Sequence, residues 1–151
     1  MSSSAPNAPV PTDGAHRTKL IEHAGRSIVL MNFSDLTSRL EYLEAIEAAR
    51  LFVAAQPPVQ NLLTLVDVTA TFYHPEVVEA LTKLAVHNKP WVLAAAVVGL
   101  TPLRRLVYRL VVAFSGRKIG SFKTMDEAKA WLVSQKTPPA LVPQDFNERE
   151  Q

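Results

Sequence analysis

Apolar and polar positions along this chain alternate with two periods, and the changes from one period to the other mark out its elements. Lys19-Leu20-Ile21-Glu22-His23 and Ser27-Ile28-Val29-Leu30-Met31-Asn32 read as two strands. Ala24-Gly25-Arg26 joins them as a hairpin, with glycine where a positive φ is needed. Phe33-Ser34-Asp35 leads into a helical pattern that stops before Gln56-Pro57-Pro58, since proline cannot continue it. Tyr42, Ala45, Ile46, Ala49, Phe52 and Val53 share one face of that helix, the expected core side. The apolar run Leu62-Leu63-Thr64-Leu65-Val66 ends in Asp67, as in a buried strand that surfaces at its C-terminal end. Val68 to His74 then forms a loop, and Pro75 suits the first turn of a helix reaching about His87. On it Val77, Val78, Leu81, Leu84 and Ala85 face inward, with Glu76, Glu79 and Lys83 outward.

Asn88-Lys89-Pro90 breaks that helix, and Trp91 to Val98 is a continuous apolar run, as expected of a central strand covered on both faces. Gly99 allows a turn, Thr101 is placed to cap a further helix, and Pro102 sits at its first position. Helical spacing sends Leu103, Leu106, Val107, Leu110, Val111 and Phe114 inward, and Arg104, Arg105, Tyr108 and Arg109 outward as a basic stripe. A short strand, Ile119-Gly120-Ser121-Phe122, follows the turn at Ser115 to Lys118. Thr124-Met125-Asp126-Glu127 is a capping box opening a last helix that buries Met125, Ala128, Trp131 and Leu132. The order is ββαβαβαβα, which predicts an α/β domain with right-handed crossovers and a mostly parallel sheet.

With 151 residues, 48% of them hydrophobic, the chain has the length of one domain and the means to build a core. Residues 1–14, rich in Ser, Ala and Pro, are expected to be disordered, residues 15–135 to form the domain, and residues 136–151 to be a flexible tail. No signal-peptide pattern opens the chain, and its longest apolar run, Trp91 to Leu100, is too short to cross a bilayer, so a cytoplasmic protein is the expectation. The absence of cysteine excludes disulfides, thiolate metal sites and cysteine nucleophiles.

Net charge is a modest +2, but its placement is uneven, with no acid between Glu79 and Asp126. Thr101, Arg104, Arg105 and Arg109, at the start of a helix, are a candidate anion-binding group; a solvated basic face is the plainer alternative. Nucleic acid is not expected, because no binding motif or array of aromatics accompanies the charge. His16, His23, His74 and His87 lack metal-ligand spacing, and there is neither a phosphate loop nor a nucleophile elbow. No enzyme, metal or cofactor is therefore expected. Leu36, Leu40 and Leu43 fall beside Glu47 and Arg50, off the core face of the first helix. They are either a partner surface or covered by the N-terminal segment or the sheet rim.

The segments Leu65-Val66-Asp67-Val68-Thr69, Asn88-Lys89-Pro90-Trp91, Ala96-Val97-Val98-Gly99-Leu100, Phe114-Ser115-Gly116-Arg117 and Phe122 to Leu132 together resemble the STAS-like, SpoIIAA-like group related to bacterial anti-sigma-factor antagonists. The resemblance runs from about Leu20 to Val133. It implies a mixed, mostly parallel sheet of four or five strands with helices mainly on one face. It further implies a non-enzymatic regulatory module that docks a kinase-like anti-sigma factor or another signalling domain; a second copy of the chain is a further candidate partner. In the antagonists a strand-end Asp precedes two serines, the second of which is phosphorylated. Here the matching positions are Asp67, Val68 and Thr69, with Ala70 where a glycine usually follows.

Thr69 and Thr71 are thus the candidate phosphoacceptors, against the plainer reading that they bond locally in the loop. Asp67 likewise either orients such a hydroxyl or bonds the backbone of its own turn. The expected docking surface comprises Asp67, Thr69, Thr71, Phe72, Tyr73 and His74, with Leu36, Leu40 and Leu43. The alternative function is a small-molecule or lipid-binding domain with an apolar pocket beneath a helix. Such a carrier would show a sizeable hollow, and a docking module a solid core.

Overall fold

The computed structural model describes residues 15–72, 74–102, 104–115 and 118–136. The expected N-terminal tail up to residue 14, all but the first residue of the expected C-terminal tail, Tyr73 and Leu103 lie outside the described residues. A 3-10 turn, Ala15–Arg17, leads into strands β1 (Thr18–His23) and β2 (Arg26–Asn32), which pair antiparallel with His23 opposite Arg26. Ala24 and Gly25 carry φ of 50° and 80°, so both central residues of this two-residue turn are left-handed, which matches the twist of the hairpin.

The chain then runs through α1 (Arg39–Ala54), β3 (Leu62–Asp67), α2 (Pro75–His87), β4 (Val92–Val98), α3 (Arg104–Ser115), β5 (Ile119–Phe122) and α4 (Met125–Val133). The strands lie side by side in chain order, with β2, β3, β4 and β5 successively parallel. This is the mixed, mostly parallel sheet that the element order predicts.

Two apolar layers hold the helices to the sheet. On one face Val29 and Met31 of β2 meet Tyr42, Ala45, Ile46, Ala49 and Val53 of α1 and Val77 and Leu84 of α2. On the other, Ile28, Leu63, Leu65, Ala94, Ala96 and Val98 meet Ala128 and Leu132 of α4. The central strands are therefore apolar at consecutive positions, since both of their faces are buried. Arg26 at the start of β2 donates from Nη1 to the carbonyls of Val133 (3.0 Å) and Gln135 (2.6 Å), satisfying the otherwise open C-terminal end of α4.

Two parts of the sequence pattern are corrected. The first helix begins only at Arg39, capped by Ser38, so Leu36 belongs to the preceding loop and tucks into the core at 3% exposure. In α3, Leu106 is 57% exposed rather than inward, while the Tyr108 hydroxyl turns back to donate to the Ile119 carbonyl at 2.7 Å. The side chains of Val107, Leu110, Val111 and Phe114 lie outside the described residues.

Leu65 is wholly buried between β3 and α4, whereas Leu40 is 61% exposed on α1. Leu65→Ala is expected to cost about 2–5 kcal/mol and Leu40→Ala less than about 0.5 kcal/mol, measured by urea unfolding.

Candidate functional site

The parallel strands β2, β3 and β4 end together, and the chain beyond β3 forms an ordered corner there. Their ladder continues past the strands: the Phe33 N–H donates to the Asp67 carbonyl (2.8 Å), the Asp35 N–H to that of Thr69 (2.9 Å), and the Val68 N–H to that of Val98 (3.0 Å). Within the corner, Asp67 Oδ1 accepts from both the backbone N–H (2.9 Å) and the hydroxyl (2.6 Å) of Thr69. Asp67 thus bonds the backbone of its own turn and holds the Thr69 hydroxyl at once.

Ala70 takes the left-handed conformation, with φ of 59°, at the position where the resemblance places a glycine. Gly99, at φ 93°, lies beneath the corner, where an added Cβ would sit 2.5 Å from Thr69 N and 2.7 Å from its Cα. Glycine is required there on both counts.

The residues expected to dock a partner divide. Thr69 and Ala70 are exposed at the tip, and Asp67 is half-buried beneath them. Thr71 is only 9% exposed and donates its hydroxyl to the Val68 carbonyl at 2.9 Å, which removes it as an accessible phosphoacceptor. Phe72 turns inward against Tyr42, ring to ring at 6.2 Å. His74 caps α2, its Nδ1 accepting from the Glu76 N–H at 3.1 Å. Leu36 is buried and Leu43 packs on the core, so of the three leucines only Leu40 remains on the surface.

The candidate anion group is also pulled apart. Thr101 caps the start of α3, accepting from the Arg104 N–H at 3.3 Å. Arg105 and Arg109 stay exposed, beside Lys123 and Glu127 in a shallow groove. Arg104 instead turns inward, and its Nη1 donates to Thr71 Oγ1 at 3.0 Å. There it reaches a largely apolar cavity of about 140 Å³ between the sheet, α2 and α3, the kind of hollow beneath a helix expected of the alternative, ligand-binding function. Val66, Val97, Val78, Leu81 and Leu100 line it; Tyr42, Thr71 and Arg104 lie together among its polar residues, which also include Thr64, Asn88 and Tyr108.

Burial pushes the Tyr42 phenol up to about 12, partly offset by Thr71 and by the Arg104 charge, so it stays protonated far above neutrality. The available signal was a tyrosine on the core face of α1, whose hydroxyl needs a polar partner once buried. Among the described residues no group of His, Asp and Glu is arranged to hold a metal.

Gly99→Ala is expected to destabilise the fold by at least about 2 kcal/mol. Ala70→Gly should stabilise it by about 0.5 kcal/mol, because relief of left-handed strain exceeds the added freedom of the unfolded chain. Chemical denaturation of both variants checks the pair. The raised Tyr42 pKa also makes stability fall in alkali. Its contribution is complete below about pH 10 and is lost as pH rises to about 12, because the unfolded chain gives up the proton first. The loss amounts to about 2–3 kcal/mol, and Tyr42→Phe should remove it from the pH dependence of unfolding.

No protein-family model and no curated protein matches this chain. Among solved structures, it is similar to an uncharacterized protein of the DUF3478 family with a SpoIIAA-like fold, from Shewanella loihica PV-4. The two share 15% identity and superpose with a TM-score of 0.60, over 76% of this chain and 91% of that one. Sheet order, helix placement and this likeness agree: the chain has a SpoIIAA-like, STAS-like fold.

Proposed function

We propose that this chain is a non-enzymatic regulatory domain that docks a signalling protein through the corner after β3, with Thr69 and Ala70 at the point of contact. The observation carrying this reading is that the corner is exposed at its tip yet fixed in shape by the bonds of Asp67 and the extended backbone ladder. A surface already fixed in its bound form loses little conformational entropy on docking. The SpoIIAA-like fold supports the same reading, with a kinase-like anti-sigma factor or a related signalling domain as the class of partner.

Thr69 is the residue at which such docking would be switched. Its hydroxyl lies 2.6 Å from the Asp67 carboxylate. A phosphate there would replace a donor with a second anion and drive the corner open by like-charge repulsion. Thr69→Glu is accordingly expected to weaken the partner, once recovered from native lysate, by about tenfold or more. Titration calorimetry with circular dichroism as the fold control reads this, and unchanged affinity with the fold intact rules the switch out.

A second reading is favoured by the cavity under α2 and α3: the domain holds a small, mostly apolar molecule. Its volume of about 140 Å³ is close to that of a dry engineered cavity that takes up benzene, about 150 Å³. By the criterion of a hollow against a solid core the cavity favours the carrier, while the exposed, fixed corner favours docking; Thr71 belongs to the loop that serves both.

A further inference from the structure

A guanidinium drawn against an apolar hollow needs an anion or several strong acceptors to offset the water it gives up. Arg104 is half-buried and has neither in full among the described residues. Its one described side-chain bond goes to the neutral Thr71 hydroxyl, and no ion pair among the described residues includes it. Among the described residues no carboxylate lines the cavity. The Thr71 hydroxyl is already donated to the Val68 carbonyl, so it offers Arg104 an oxygen but no charge. Beside them the Tyr42 hydroxyl remains a neutral donor. Donors and a positive charge thus converge on one wall, and apolar side chains make up most of the remainder.

We infer that the cavity takes a small monocarboxylate with an apolar body, its carboxylate on Arg104 and Tyr42 and its aryl or short alkyl part among Val66, Val97, Val78 and Leu81. The inference rests on the second reading above and adds to it the chemistry of the ligand's head and the size of its body. A carboxylate suits a guanidinium because its oxygens accept two parallel N–H bonds. The volume of about 140 Å³ suits a body of about the size of a benzene ring or a comparably short chain. The exposed basic groove of Arg105, Arg109 and Lys123 is a different surface, open to solvent and with the Glu127 carboxylate beside it.

The test titrates the full chain with phenylacetate, its neutral amide phenylacetamide, and acetate, followed by calorimetry and backbone amide NMR. Phenylacetate should bind saturably and shift resonances of Thr71, Val97 and Leu81, with the amide weaker by about tenfold or more and acetate not saturating. Arg104→Gln should abolish the preference for acid over amide while leaving the amide's affinity within about twofold. If acid and amide bind alike to the unaltered chain, the carboxylate assignment fails and the apolar-cavity reading stands. Failure of both to bind overturns the two together. Shifts confined to Arg105, Arg109 and Lys123 overturn the inference as well, since the anion would then be held on the open surface. The comparison of acid with amide needs no variant, so it decides the matter even if Arg104→Gln does not fold.

Discussion

The arrangement depends on the main-chain ladder continuing beyond the ends of β2, β3 and β4. Strands usually hand over to loops whose backbone groups turn to water. Here the Phe33, Asp35 and Val68 amides each find a carbonyl on the adjoining segment, so the loops after β2 and β3 are bonded to each other and to the end of β4. The close seating of Thr69 over Gly99 follows from that, as does the left-handed turn at Ala70. With its backbone thus anchored, the chain offers an exposed tip and, immediately behind it, a buried Thr71 facing the interior.

That adjacency joins the exposed corner to the cavity. Thr69 sits on the outside and Thr71 against the cavity wall, two residues apart on one short segment. Arg104 brings α3 into the same cluster. A single bonded loop thus forms part of both surfaces.

Much of the fold is legible in the sequence. Leu62–Asp67, Pro75–His87 and Ile119–Phe122 all form where the pattern puts them, since proline, glycine and a change of period mark their ends. The corner is legible too, in an acid at a strand end followed by threonines. The misjudged parts involve long or isolated side chains. Helical spacing assigns Arg104 and Tyr108 to solvent, but α3 packs along α2 rather than centrally over the sheet, and both side chains are long enough to bend their polar ends inward. Leu36 is in phase with a helix that begins only at Arg39. The cavity has no signature in a one-dimensional pattern, because empty volume is a property of how neighbours meet.

The three successive alanines of β4 set two distances at once. Ala94 and Ala96 point to the layer shared with α4, where their small size lets Ala128 come to rest with no surface left exposed. Ala95 points the other way and borders the hollow. Neighbouring positions of one strand therefore answer oppositely to the same added methyl groups. At the even positions extra bulk would wedge a helix off the sheet, and at the odd one it would occupy vacant space. The parity of the strand thus separates the residues that fix the architecture from the one that is free to adjust its interior.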